Sequence, residues 1–122
     1  MEITCGLYKD GTEIIPLPIT ELVPDGEFFD YAAKYEGKSQ EITPARISDE
    51  DRDTVWSTCV AIYRKMGLKG LVRIDAFLKD GEVSIIEVNT TPGMTEHSLV
   101  PQQAAAAGID LADLLRACVE GL

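Results

Sequence analysis

The first part of the chain alternates apolar and polar residues in short runs, which is the pattern of β-strands. Residues 2–8 predict a strand, and the Lys9-Asp10-Gly11 turn that follows carries the Asp-Gly pair typical of a tight hairpin. Residues 12–16 and 19–23 predict two further extended pieces. Because Pro16 and Pro18 donate no backbone hydrogen bond, we expect an edge strand or a bend there.

A helical pattern follows over residues 48–66. Apolar residues recur at spacings of four, three and four, which predicts one buried helix face made of Val55, Cys59, Ile62 and Met66. Ser48 followed by acidic residues is typical of a helix start, since a hydroxyl accepts from the free backbone N–H groups and the helix dipole favours negative charge there.

The second half of the chain predicts a hairpin, a turn-rich segment and a last helix. Residues 71–78 and 83–88 alternate as strands and are joined by Lys79-Asp80-Gly81, a second Asp-Gly turn. Residues 89–101 are rich in turn formers. Asp110 is expected to cap a helix whose inner face is Leu111, Leu114, Leu115 and Cys118. The fold class predicted from these elements is α+β with an antiparallel sheet and flanking helices.

Composition narrows the classes of function. The chain has 122 residues, 45% of them hydrophobic, so it can bury the core of one domain and is not disordered throughout. Its net charge of −10 argues against a nucleic-acid surface, which needs an excess of Lys and Arg. We expect no membrane span and no signal peptide, and three reduced cysteines in a cytoplasmic protein.

Charged residues concentrate on the second predicted hairpin. Arg73 and Asp75 alternate along its first strand and Glu87 and Asn89 along its second, so each pair lies on one face. If the hairpin brings the pairs together, their oxygen atoms suit Mg²⁺ with nucleotide phosphates, and the Arg73 guanidinium suits phosphate or carboxylate oxygens. The same pattern also fits a solvated sheet face, or a salt bridge of Asp75 and Glu87 with Arg73.

Other candidate residues carry weaker signals. His97 is the single histidine, which excludes a His-based metal site. Ser98 lacks the flanking glycines and partner residues of a hydrolytic nucleophile. Residues 28–37 are rich in aromatic and charged residues and predict a surface loop, in which Lys34 fits either a phosphate contact or plain solvent exposure.

Three stretches together resemble a known family. Residues 70–101 read GLVRIDAFLKDGEVSIIEVNTTPGMTEHSLVP, residues 28–35 read FFDYAAKY, and the chain begins with Glu2-Ile3-Thr4. They resemble the C-terminal portion of D-alanine:D-alanine ligases, which are ATP-grasp enzymes, and the resemblance covers essentially the whole chain. It implies an ATP-grasp C-terminal subdomain from a cytoplasmic enzyme that uses ATP and two Mg²⁺ ions, or Mn²⁺, to join two D-alanines through a D-alanyl phosphate for peptidoglycan precursors.

The resemblance also implies roles for individual residues. Asp75, Glu87 and Asn89 would hold the two metal ions, with Glu87 bridging them, and Arg73 would contact the phosphoryl group in transfer. The nucleotide would be bound by Glu2 on the ribose, Phe28 and Ile86 on the adenine, and Lys34 on a phosphate. Gly93 would donate its N–H to the tetrahedral oxyanion, Ser98 and Leu99 would position the second D-alanine, and Tyr35 would favour D-alanine over D-lactate as acceptor.

The sequence also departs from the family's pattern. The Gly/Ser-rich phosphate loop, two upstream lysines and the adenine hinge are missing, so residues 1–122 are expected to be the C-terminal half of an ATP-grasp domain. We expect this half to be inactive alone and to self-associate through apolar surface, and the parent enzyme to be a homodimer. Two alternatives stay open: another ATP-grasp carboxylate–amine ligase, such as a D-alanine:D-lactate ligase, and a nucleotide- or metal-binding module without turnover.

Overall fold

The computed structural model describes residues 1–23, 40–94 and 98–121. The strands and helices of these residues are β1 Glu2–Asp10, β2 Glu13–Pro16, β3 Thr20–Val23, β4 Gln40–Ile42, α1 Asp49–Lys65, β5 Val72–Lys79, β6 Glu82–Asn89, α2 Leu99–Ala106 and α3 Leu111–Glu120. All strands pair antiparallel in one sheet ordered β4-β3-β1-β5-β6, with β2 also paired to β1. The predicted α+β class with an antiparallel sheet is confirmed.

Strand β1 lies at the centre of the sheet. One of its edges pairs with β5, and the other is shared by β2 and β3, which β1 meets in succession along its length. The break between them, residues 17–19, follows Pro16 and contains Pro18, as the prolines predicted. Within it, the Leu17 N–H donates to the Gly6 carbonyl at 2.8 Å. Successive side chains of β1 point to opposite faces of the sheet, and each face packs against a different layer.

Helix α1 covers one face of the sheet. Ile3, Cys5 and Leu7 of β1 pack there with residues of β5 and with the helix. The predicted inner face of the helix was half right: Val55 and Cys59 are buried, whereas Ile62 is only partly buried and Met66 is 59% exposed. Tyr63 is buried on this face instead. Its phenol reaches past the helix end and donates to the Gly70 carbonyl at 2.7 Å.

Helices α2 and α3 cover part of the other face. Their core consists of Tyr8, Leu17, Val100, Ala104, Leu114 and Cys118. Asp110 caps α3 as predicted, since its side chain accepts from the Ala112 N–H at 2.9 Å. Leu114 and Cys118 are buried as predicted and Leu111 is partly buried, but Leu115 is 41% exposed, so the covered stripe of α3 is narrower than its apolar pattern. Helix α2 begins inside the segment predicted as turn-rich and was missed.

The turns and caps follow their local chemistry. Asp80 and Gly81 form the two-residue loop of the β5–β6 hairpin with φ of 52° and 77°, the left-handed pair that such a tight turn requires. The Ser48 hydroxyl accepts from the Asp51 N–H at 3.1 Å, and Gly67 follows the helix end with φ of 62°. The predicted hairpins and the start and end of α1 are confirmed.

The three cysteines are buried and free, as predicted. Cys5 and Cys59 belong to the same core, where the neighbouring Cys59 thiol and burial raise the pKa of the Cys5 thiol well above its usual value. Within the described residues, no helix is long and apolar enough to cross a membrane.

Candidate functional site

Four side chains of the β5–β6 hairpin lie on one face of the sheet. Arg73 is the register partner of Asn89, and Asp75 is the partner of Glu87. Side chains of directly opposed residues point to the same side of a sheet and lie close together. The prediction that the hairpin brings the two pairs together is therefore confirmed.

A shift in register is what makes this arrangement possible. Counting back from the turn, Lys79 faces Glu82 and Ala76 faces Ile85, and the same count would place Ile86 opposite Asp75. One extra residue of β6, between the partners of Asp75 and Ala76, moves Glu87 into that place. Bulges of this kind re-aim side chains and are common beside functional sites. Ile86, predicted to contact adenine, is the residue inserted there and is 48% exposed.

Asp75 is held by donors from two strands. The Arg73 guanidinium forks onto it, with Nε 3.0 Å from Oδ1 and Nη2 3.1 Å from Oδ2. The Thr4 hydroxyl of β1 donates to the same Oδ1 at 2.7 Å. The Arg73 and Asp75 side chains are 21% and 18% exposed, so this pair is partly shielded from water. Of the salt bridge that the sequence pattern left open, the Arg73–Asp75 part is therefore present.

The remaining members of the hairpin group are more open. Glu87 is exposed, and it makes no ion pair with any described residue. The Asn89 amide oxygen accepts from the Thr91 N–H at 3.0 Å, which fixes the side chain at the end of β6. Glu2 faces the same side as Asp75, because the Glu2–Phe77 and Thr4–Asp75 partners follow each other by two residues. Phe77 is 49% exposed on that face.

The oxygen donors of the hairpin fit a hard divalent cation only if the Asn89 amide is counted with the two carboxylates. Among the described residues there is no group of three His, Cys, Asp or Glu side chains placed to hold a metal ion. Asp75 and Glu87 contribute two carboxylates and Asn89 a carbonyl oxygen, all on one face. Oxygen donors of this kind, completed by water and phosphate, are what Mg²⁺ prefers. The residues present therefore suit the ion that the sequence predicted.

Gly93, Ser98 and Leu99 come together at the start of α2. A Cβ on Gly93 would lie 2.9 Å from the Ser98 Oγ, so a larger residue would push against that hydroxyl. Ser98 is the extended residue that precedes α2, and Leu99 is the first, partly buried residue of the helix. Free N–H groups in the first turn of a helix favour an anion such as a carboxylate. Phe28, Lys34, Tyr35 and His97 lie outside the described residues.

Two buried polar residues beside the site were not predicted. Thr4 and Gln103 are both fully buried, and the Gln103 amide donates to the Thr4 carbonyl at 3.1 Å. A polar residue at a strand position that also faces a predicted site is a signal for Thr4. No pattern signals Gln103, because its partners lie about a hundred residues earlier in the chain.

An ion pair between the buried Glu21 and the exposed Arg46 supports the far edge of the sheet. Glu21 of β3 is 4% exposed and accepts from the Arg46 Nη2 at 2.9 Å and from the Arg46 backbone N–H at 3.1 Å. These bonds hold the pKa of the Glu21 carboxyl below its ordinary value against the opposing effect of burial. The pair stabilises the segment after β4 and is not part of the candidate site.

Comparison with known proteins places these features in a family. A family model described as "D-ala D-ala ligase C-terminus" matches residues 1–120. The curated D-alanine–D-alanine ligase of Christiangramia forsetii is 50% identical over 119 residues, which are 98% of this chain and 36% of that protein. The D-alanine–D-alanine ligase of Bacteroides thetaiotaomicron is 48% identical over 120 residues, 98% of this chain and 37% of that protein.

Solved structures give the same answer. The D-alanine–D-alanine ligase from Bacillus anthracis complexed with ATP has a TM-score of 0.77 and 34% identity over 98% of this chain and 37% of its own. The VanG D-Ala:D-Ser ligase from Enterococcus faecalis has a TM-score of 0.77 and 31% identity over 98% of this chain and 35% of its own. The chain spans little more than a third of the length of these relatives. It belongs to the D-Ala–D-Ala ligase C-terminal family, as its sequence predicted.

Proposed function

We propose that this chain is the C-terminal half of the ATP-grasp domain of a cytoplasmic D-alanine:D-alanine ligase that makes peptidoglycan precursors. The observation that carries the proposal is the placement of Arg73, Asp75, Glu87 and Asn89 on one open sheet face, in a chain of this family. The relatives are nearly three times as long as the matched segment, so the rest of the nucleotide clamp would come from a preceding half.

The proposed reaction has two steps. The γ-phosphoryl group of ATP passes to the carboxylate of one D-alanine, and the amine of a second D-alanine then attacks the acyl phosphate. ADP, phosphate and the dipeptide are released. Catalysis of phosphoryl transfer depends mainly on positioning and on stabilising charge, which is the chemistry that a face of fixed polar groups supplies.

The hairpin residues divide this work by charge. Asp75, Glu87 and Asn89 would hold two Mg²⁺ ions, with Mn²⁺ as a substitute, and bound Mg²⁺ neutralises phosphate charge. Arg73 would turn its forked donors to phosphoryl or acyl-phosphate oxygens, a contact for which a planar guanidinium is better suited than an ammonium group. Its present fork on Asp75 holds it within reach of the same face.

The acceptor would bind at the start of α2. Ser98 and Leu99 would position the second D-alanine there, with its carboxylate near the positive end of the helix. Gly93 would donate its N–H to the oxyanion of the tetrahedral intermediate, and the absence of a Cβ leaves room beside Ser98. Glu2 and Ile86 would contact the ribose and the adenine, and Phe28, Lys34 and Tyr35 keep the roles predicted for them.

The test uses the full-length protein that contains this chain. Formation of ADP and phosphate should require D-alanine and a divalent ion, with D-alanyl-D-alanine as the product by mass spectrometry. Equal ATP turnover with L-alanine would refute the substrate assignment. The 122-residue chain alone should form no dipeptide, and measurable dipeptide from it would refute the need for a preceding half.

Two substitutions on the same strand distinguish a role in the site from the general effect of removing a surface charge. Glu87→Gln should lower Mg²⁺-dependent activity by orders of magnitude, because a neutral amide holds a cation far less well than a carboxylate. Glu82→Gln, at another exposed position of β6 beside the hairpin turn, is the matched control and should retain activity. Near-normal activity of Glu87→Gln would remove Glu87 from the site.

The acceptor is the part of the proposal with a real competitor. A D-Ala:D-Ser ligase matches this chain with the same TM-score as a D-alanine–D-alanine ligase, so the fold does not discriminate between acceptors. Tyr35 favours D-alanine by resemblance. Competition of D-alanine, D-serine and D-lactate in one reaction, read by product mass, tests this, and a dominant D-alanyl-D-serine or depsipeptide product would replace the assignment.

A further inference from the structure

Thr4 connects the candidate site to the interior of the sheet. It lies on the central strand β1, is fully buried, and pairs with Thr20 on one side and with Asp75 on the other. Its hydroxyl donates to the Asp75 Oδ1 at 2.7 Å. A hydroxyl has one proton to donate, so that proton is committed to the carboxylate.

The backbone of Thr4 is itself fixed from the other side. Gln103 of α2 is fully buried, and its amide nitrogen donates to the Thr4 carbonyl at 3.1 Å and to the Thr20 hydroxyl at 3.0 Å. Its amide oxygen accepts from the Gly6 N–H at 2.9 Å. Both Gln103 donors and its acceptor are thus used on β1 and β3, and Thr4 has little freedom to move.

The two donors on Asp75 differ in their freedom. Arg73 reaches Asp75 with a long side chain at the open face, where it can turn to another anion. Thr4 reaches it with a short, β-branched side chain from a buried strand. When Arg73 engages phosphate oxygens, Thr4 is the donor that remains on Asp75.

We propose that Thr4 is a positioning residue for Asp75, whose hydroxyl holds the carboxylate in its metal-binding orientation independently of Arg73. The proposal rests on the proposed function for its meaning in catalysis. A purely structural role predicts that loss of the Thr4 hydroxyl lowers stability alone, whereas a positioning role predicts that it also weakens metal binding. Residues that orient metal ligands typically change metal affinity or activity by about 10- to 100-fold when they are replaced.

Thr20 provides a matched control on the neighbouring strand. It is as fully buried as Thr4, and its hydroxyl is also hydrogen-bonded, to Gln103 and to Thr43. It does not contact a carboxylate at the site. Thr4→Val and Thr20→Val therefore remove the same group from equally buried positions and differ in whether Asp75 loses a donor.

The experiment compares Thr4→Val, Thr4→Ser and Thr20→Val in the full-length protein. Mn²⁺ binding in the presence of ADP is measured by calorimetry, kcat and KM by ADP release, and folding by thermal unfolding. We expect Thr4→Val to weaken Mn²⁺ binding and lower kcat by about 10- to 100-fold, Thr4→Ser to stay within about threefold of wild type, and Thr20→Val to change stability but not Mn²⁺ affinity.

Two results would overturn the positioning role of Thr4. One is equal Mn²⁺ affinities for Thr4→Val, Thr20→Val and wild type, and the other is a Thr4→Ser variant that binds Mn²⁺ as weakly as Thr4→Val. If Thr4→Val does not fold, Thr4→Ala and Thr20→Ala carry the same comparison. A wild-type protein that binds Mn²⁺ without forming dipeptide would refute the proposed function alone, because the binding comparison still tests Thr4.

Discussion

Gly6 and Gln103 pack so closely that any side chain larger than a hydrogen atom at position 6 would clash with Gln103. A Cβ on Gly6 would lie 2.6 Å from the Gln103 Oε1, against an ordinary contact of at least 3.4 Å, and 3.2 Å from carbons of Leu17 and Val100. The clashing oxygen accepts the Gly6 N–H, so it cannot retreat without lengthening that 2.9 Å hydrogen bond. We therefore expect Gly6→Ala to destabilise the protein through Gln103.

The size of the effect follows from two costs and one gain. Overpacking a core costs about 1–3 kcal/mol, and a buried N–H without its acceptor costs about 1–3 kcal/mol. Alanine in a strand recovers about 0.5–1 kcal/mol relative to glycine. A net loss of about 2–4 kcal/mol is a large part of a typical stability of about 5–15 kcal/mol. Gln103→Ala should cost a similar amount, because it leaves buried partners on β1 and β3 unpaired.

The double variant tests the reasoning. Without the Gln103 side chain the new methyl group at position 6 has no oxygen to meet, so Gly6→Ala/Gln103→Ala should be about as stable as Gln103→Ala alone. The coupling would then equal the whole loss expected for Gly6→Ala, about 2–4 kcal/mol, whereas independent sites add within about 0.5 kcal/mol. Urea unfolding followed by circular dichroism and by Trp56 fluorescence measures it. Additive losses would refute the direct clash.

Three further outcomes are expected. Arg46 lowers the pKa of the Glu21 carboxyl, so the ion pair stabilises the fold fully above the unfolded pKa of about 4.3, and this stabilisation is lost as pH falls through the lower folded pKa. Glu21→Gln should therefore make the unfolding free energy fall less steeply at acid pH. An unchanged acid dependence would exclude a contribution from the pair. Tyr63→Phe, which loses the hydrogen bond to the Gly70 carbonyl, should lower the unfolding free energy by about 1–2 kcal/mol in urea titrations, and a neutral result would contradict that bond. Phe77→Ser should reduce self-association of the 122-residue chain in light scattering, and a chain that is monomeric at high concentration before substitution would contradict the expected apolar contact.

Local chemistry explains which elements the sequence predicted. The two Asp-Gly turns, the Ser48 cap and the Asp110 cap depend on residues within a few positions of each other, and all are present. Helix α2 was missed because Pro101 resembled a turn residue, although proline is tolerated in the first turn of a helix. Gly108, with φ of 73° just after the helix, was a usable signal for its end.

Long-range packing explains what the sequence did not predict. Met66 fits the apolar spacing of α1 but follows the last residue of the helix and is exposed, whereas Tyr63 inside the helix is buried. The pairing of β1 with β5 joins residues some seventy positions apart, and it alone brings Thr4 to Asp75. Such contacts depend on the whole sheet order, on which periodicity within one strand carries no information.

The bulge in β6 shows why strict alternation alone does not predict which residues meet at the candidate site. Strict alternation from the Asp80-Gly81 turn would set Glu87 opposite Ile74, on the face that α1 covers, where an unpaired carboxylate is costly. The extra residue at Ile86 returns Glu87 to the open face beside Asp75. A one-residue change in register exchanges the two faces of a strand, so the site depends on this irregularity as much as on its charged side chains. A rule of strict alternation contains no bulge and therefore predicts the wrong partner for Glu87.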